Sequence, residues 1–226
     1  MKPRRKLAET QTPDGGLLAL YSHDDSFAIN YKGQELMHSK MNASERLLGE
    51  LGTQNLPKDQ PTRILIGGIG LGFTLQRVLE TTGSQTQIEQ VELLPAVIDW
   101  NRTHLAELNQ NALEDPRVQT ITIDIVPHIR NATPKTYDSI LLDVDNGPTA
   151  MVAASNNSLY SKFGLHAIWK ALKPGGQAII WSAGPDHKFE TRLKKAGFQH
   201  KAIPAKTHAS AKRHAYLLYQ AVKLSS

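Results

Sequence analysis

The stretch Ile64-Leu65-Ile66-Gly67-Gly68-Ile69-Gly70-Leu71-Gly72 begins as an apolar run and breaks into glycines. Such a run suits a strand buried on both faces, and the glycines let the backbone of the following loop approach a ligand closely. A second apolar run ends in Glu92, 20 residues after Gly72. A glycine loop opening a helix, followed by an acid at the end of the next strand, is the layout of a nucleoside site: loop amides face the ligand and the carboxylate accepts from ribose hydroxyls. The dinucleotide pattern G-x-G-x-x-G is not met, because it falls on Phe73 when counted from Gly68 and on Leu75 when counted from Gly70. What stands here is G-x-G-x-G, Gly68 to Gly72.

Working outward, apolar runs at 64–66, 88–91, 118–123, 139–142 and 177–181 alternate with helical patterns at 73–80, 96–105 and 163–172. That βαβ spacing predicts a parallel sheet with helices on both faces. Lys173-Pro174-Gly175-Gly176 reads as a turn into the fifth strand, 189–196 as an amphipathic helix, and two late runs around 201–203 and 215–222 as an antiparallel pair closing the sheet edge. Residues before Lys40 show short alternating runs between turn signals, an antiparallel β meander. Asn42-Ala43-Ser44-Glu45 fits a helix start with a capping box. The expected architecture is therefore an α/β, Rossmann-like fold with a mostly parallel seven-stranded sheet. Residues 1–56 form the meander and linking helix, and 57–226 the nucleoside-binding domain.

Composition narrows the class. The 226 residues contain no cysteine, which excludes disulfides and cysteine-ligated metals. His200, His208 and His214 lack compact zinc spacing, so no metal is expected. The basic start of the chain lacks an apolar segment behind it, and no run approaches the length of a membrane span; the expectation is a cytoplasmic protein without a membrane partner. A net charge of +5 is spread along the chain, and aromatic residues make up only 6%, which offers few stacking platforms for nucleic acid.

In an open α/β sheet the ligand lies beyond the carboxyl ends of the strands. Four consecutive ends are suggestive: the glycine loop, Glu92, Asp124, and Asp143 with Asp145 close behind. The G-x-G-x-G loop resembles that of S-adenosylmethionine enzymes. On that reading Glu92 takes the ribose, Asp124 the adenine amino group, and Asp143 faces the sulfonium. The plainer role for Asp124 and Asp143 is a helix N-cap.

The strings LIGGIGLG, VELLPAVIDWN, DPRVQTITIDI, YDSILLDVDNGP, LYSKFGL and ALKPGGQAII together resemble the spermidine and spermine synthase family and its methyltransferase-like relatives, over about residues 30 to 200. The resemblance implies cofactor contacts from Gly67, Gly68, Gly70, Gly72, Glu92, Asp124, Ile125 and Asp143. It implies that Asp143 orients and deprotonates an attacking amine, with Asp145 drawing in a second cationic group. Substrate contacts are expected from His38, Ser44, Glu45, Tyr160 and Trp181, and residues 149–160 read as a lid. Two departures matter. Aminopropyl-transferring members carry a loop aspartate where Gly70 stands, and a longer acidic segment after the fourth strand. Both favour a methyltransferase using S-adenosylmethionine on a small amine. The alternative is aminopropyl transfer from decarboxylated S-adenosylmethionine; behind these stand an RNA methyltransferase and a non-catalytic nucleoside-binding relative. Exposed strand edges in the meander suit a homodimer.

Overall fold

The computed structural model describes residues 3–144 and 158–225. Asp145 and residues 149–157 of the expected lid lie outside them.

The meander is an antiparallel four-stranded sheet in sequential order: β1 (Arg5–Gln11), β2 (Leu17–His23), β3 (Ser26–Tyr31) and β4 (Gln34–His38). The β3–β4 turn is Lys32-Gly33, with φ of 48° and 81° at its two residues. Two successive positive φ values give the turn whose twist matches that of the strands it joins.

The second sheet has seven strands. Five are parallel: β5 (Arg63–Gly67), β6 (Gln87–Glu92), β7 (Val118–Thr122), β8 (Tyr137–Leu142) and β9 (Leu172–Ser182). β10 (Phe198–Ala205) and β11 (Tyr216–Lys223) add an antiparallel edge, giving the order β10-β11-β9-β8-β5-β6-β7. The helices are α1 (Ala43–Thr53), α2 (Phe73–Thr81), α3 (Pro95–Arg102), α4 (Ile125–Asn131), α5 (Lys162–Ala171) and α6 (His187–Lys195). Ile64, Leu65, Ile66 and the β8 triplet Ile140, Leu141 and Leu142 have no exposed surface, as double-sided burial of the central strands requires. The strand order reverses between β5 and β8, and that switch point opens a crevice at their carboxyl ends.

Three local expectations change. The capping box at α1 does not form: the Asn42 side chain donates to Ser39 O, and the Glu45 carboxylate turns to Ser44 Oγ. The stretch 173–176 lies inside β9 as an irregularity, with the register stepping from Tyr137↔Leu172 to Ser139↔Gln177 around Gly175. α4 has only 7 residues, too few for a helical period to be read.

α1 lies unusually close to its neighbours. A Cβ on Gly49 would stand 2.9 Å from the Thr74 carbonyl, and one on Gly52 would collide with the Leu141 side chain. Gln177 Nε2 ties the helix to the sheet by donating to Leu51 O at 2.8 Å, and Gln220 Nε2 donates to Gln177 Oε1 at 2.7 Å. Among the described residues no helix is long and apolar enough to cross a membrane.

Candidate active site

A cavity of about 340 Å³ fills the switch point, walled by the ends of β5, β6, β8 and β9 on one side and by the meander and α1 on the other. Its apolar wall includes Leu18, Ile29, Met37, Met41, Val144 and Trp181; its polar groups include Ser44, Glu45, Glu92, Asp124 and Asp143.

Gly68 and Gly70 line it directly. Gly68 has φ +84°, and a Cβ there would collide with the Asp143 carbonyl. Glycine thus draws the β5 loop against the end of β8. Gly67 and Gly72 act from behind, packed on Ile125 and on Asn109. Glu92 accepts from Ile69 N at 3.0 Å and Leu94 N at 2.9 Å, one per carboxylate oxygen. A carboxylate oxygen can accept more than one hydrogen bond, so the Glu92 carboxylate on the cavity wall suits ribose hydroxyls. Asp124 lines the cavity and also caps α4, its Oδ1 accepting from Val126 N at 2.8 Å. Ile125 lines the cavity beside it.

Asp143 is fixed by its own amide, which donates to Gly67 O at 2.9 Å, and by Thr74 Oγ1, which donates to Oδ2 at 2.9 Å. The same hydroxyl lies 3.4 Å from the Glu45 carbonyl, so the start of α2 joins the α1 acid to the β8 acid. Glu45 accepts from Ser44 Oγ at 2.6 Å. Both residues line the cavity, and neither is fully exposed. Burial pushes Asp143 up to about 6, against the opposing pull of the Thr74 hydroxyl. Burial first, and then the charge of Asp143, push Glu45 up to about 7. No cationic side chain pairs with either among the described residues.

Trp181 and Tyr216 complete the wall, their ring centroids 4.7 Å apart, and Trp181 Nε1 is buried without a partner. His38 lines the cavity, with Nδ1 accepting from Lys40 N at 3.1 Å. Tyr160 is placed elsewhere. It is 2% exposed and packs edge-on against Phe189 in the core beneath α5 and α6, because its ring is large enough to anchor that layer. Among the described residues no group of three or more acids and histidines could hold a metal.

Met37, Thr74 and Tyr216 escaped the sequence reading. A Cβ on Gly70, where φ is +51°, would stand 2.7 Å from Met37 Sδ. The glycine at 70 therefore follows from a left-handed backbone and a methionine packed on it.

The polyamine aminopropyltransferase of Mycobacterium tuberculosis is 32% identical over 129 residues, 56% of this chain and 24% of that protein. Over that stretch the chain is similar to polyamine aminopropyltransferases, and it has the fold of the spermidine synthases. No protein-family model matches it. A spermidine synthase crystallised with the transition state analogue AdoDATO superposes with a TM-score of 0.79 at 20% identity, covering 98% of this chain and 75% of that one. Within the same family neighbourhood, putrescine N-methyltransferase 2 of Nicotiana attenuata is 32% identical over 118 residues, 51% of this chain and 29% of that protein. The matched stretch thus spans about a quarter of the length of these curated relatives.

These relatives overturn the expectation of a methyltransferase. Aminopropyltransferases stand first among the similar sequences, and spermidine synthases among the similar folds. Gly70 does not decide the cofactor's tail, because a left-handed backbone and the Met37 side chain packed on it favour glycine there on local grounds.

Proposed function

We propose that the chain transfers an aminopropyl group from decarboxylated S-adenosylmethionine to an amine of the polyamine class. The observation that carries the reading is the pair Asp143 and Glu45: two crowded carboxylates facing one cavity with no cation to balance them among the described residues, in a chain whose relatives are named for polyamine substrates. Carboxylates so placed favour a cationic ligand, since an ammonium group would restore what burial removes. The residues present fit the cofactor. The Gly68–Gly70 loop and Glu92 would hold its ribose side, and Asp124 and Ile125 the base.

Decarboxylated S-adenosylmethionine supplies a sulfonium-activated carbon, whose bond to sulfur breaks as the acceptor nitrogen bonds to it, leaving methylthioadenosine. The chain's own part is alignment and proton handling. The amine arrives protonated, and its lone pair is needed. Asp143, oriented by Thr74 and its own backbone, accepts that proton at its free oxygen. Glu45 holds the acceptor's charge from the α1 side, with Ser44 fixing its carboxylate. Trp181, Tyr216 and Met37 line the apolar path of the alkyl chain, and His38 closes the meander side. Asp145 is proposed as the second amine anchor.

The test is incubation with decarboxylated S-adenosylmethionine and putrescine, reading methylthioadenosine and spermidine by mass spectrometry. Both products in equal amounts support the reading. Formation of S-adenosylhomocysteine from ordinary S-adenosylmethionine, with no aminopropyl product, overturns it.

A further inference from the structure

Buried amide side chains hold the carbonyls of the glycine loop from the core side. Gln90 Nε2 donates to Gly68 O at 2.9 Å, and Asn101 Nδ2 donates to Gly70 O at 2.9 Å. Gln90 and Asn101 are 0% and 1% exposed. Asn101 is itself immobilised: Nδ2 also donates to Val97 O at 2.9 Å, and Oδ1 accepts from Asn109 Nδ2 at 2.8 Å. Gly72 permits this approach, since a Cβ there would stand 2.8 Å from Asn109 Cβ and 3.0 Å from Asn101 Oδ1.

A trans peptide points its C=O and the next N–H in opposite directions. Fixing the Gly68 carbonyl therefore aims Ile69 N–H away from Gln90, and that amide meets Glu92 Oε2 at 3.0 Å. Fixing the Gly70 carbonyl aims Leu71 N–H away from Asn101 in the same manner. The amides of Gly70 and Leu71 make no hydrogen bond among the described residues. A glycine loop without such anchors has low barriers to flipping these peptides, and each flip would replace a donor by a carbonyl.

We infer that Asn101, backed by Asn109, and Gln90 are positioning residues for nucleoside binding: they fix the two loop peptides, and with them the Gly68 and Gly70 wall of the cavity and the amide that orients Glu92. Asn101 governs the Leu71 amide, while Gln90 governs the one that orients Glu92. The inference rests on the nucleoside site proposed above, and it concerns binding of the adenosyl group, independent of which group is transferred.

The test is calorimetric binding of methylthioadenosine to the full chain and to Asn101→Leu, which keeps side-chain bulk and removes the donor. The expected result is a Kd raised about 10- to 30-fold at unchanged stoichiometry of folded protein, with putrescine affinity unaltered; a merely structural role would lower the melting temperature and the folded fraction and leave the Kd of that fraction alone. Hydrogen exchange on the unsubstituted chain needs no variant: the Ile69 and Gly70 amides, one on Glu92 and one on the cavity wall, should gain protection on adding methylthioadenosine. Unchanged Kd in Asn101→Leu, or no change in those two amides while the nucleoside binds, overturns the inference alone. Failure of the unsubstituted chain to bind methylthioadenosine overturns the site reading and the inference together.

Discussion

Near the amino-terminal ends of the parallel strands, Glu89 sits at 12% side-chain exposure and is fully partnered: His128 Nε2 at 2.9 Å, the Tyr137 hydroxyl at 2.7 Å and Arg63 at 2.8 Å. Near the carboxyl ends, the side-chain donors to Asp143 and Glu45 among the described residues are neutral hydroxyls, from Thr74 and Ser44. The electrical outcome is opposite. The His128 bond first, then those from Tyr137 and Arg63, draw Glu89 down to about 2, while burial pushes Asp143 and Glu45 up to about 6 and 7. One end of the sheet neutralises its acid internally and gains cohesion. The other leaves its acids unbalanced, and such imbalance is what a binding site needs.

The strongest way to break this contrast is Asp143→Asn. Aminopropyl transfer should fall by about 10²- to 10⁴-fold, the range for loss of a positioned proton acceptor, with methylthioadenosine affinity within a few-fold of the unsubstituted chain. Steady-state kinetics beside calorimetry would decide it, and turnover within tenfold would remove Asp143 from its role. Glu89→Ala should do the reverse: stability drops by about 3 kcal/mol, because Arg63 and His128 lose their shared partner, while kcat of the folded fraction is kept. Urea titration and active-site counting separate the two.

Glu45→Gln sharpens the comparison further. The KM for a diamine should rise about tenfold with little change in cofactor affinity, and the rise of rate with pH through about 6 to 7 should narrow to a single titration, because the two apparent values belong to the pair. An unaltered KM and pH profile would show that Glu45 is only a wall.

The smallest effect is on stability against pH. Asp143 and Glu45 titrate above their ordinary values of 3.8 and 4.5, so the folded state holds more protons there and stability declines as pH rises from about 4 to 7. Glu89 titrates below 4.5, so its contribution is present above that pH and lost as pH falls towards 2. Asp143→Asn should flatten the first limb by on the order of 2 kcal/mol, and Glu89→Gln the second. Melting temperatures across that range provide the check.

The fold was legible wherever a pattern is local and repeated. Alternating apolar runs located the strands, and strand-end acids located Glu92, Asp124 and Asp143 around one cavity. What escaped depends on contacts between distant segments. Asn101 read as one more polar residue of α3, yet it reaches the loop 31 positions earlier. Met37 read as an apolar residue of β4, although its side chain packs on the glycine loop at Gly70 and lines the cavity. Tyr160 stood at the end of the expected lid as a substrate contact, and the hydrophobic layer under α5 claimed it instead. Ser44 and Glu45 fitted a helix cap on spacing alone; the side chains turn inward because a second acid and a hydroxyl wait there.

Gly49 and Gly52 give the helix that carries Glu45 two bare spots, one over the Thr74 carbonyl and one over Leu141. The clearance between the two acids is thus set by missing atoms, a shim of zero thickness. Adding one methyl at either position would press on the Thr74 carbonyl or on Leu141 and shift the helix, carrying Ser44 and Glu45 with it, although no residue that lines the cavity had been replaced.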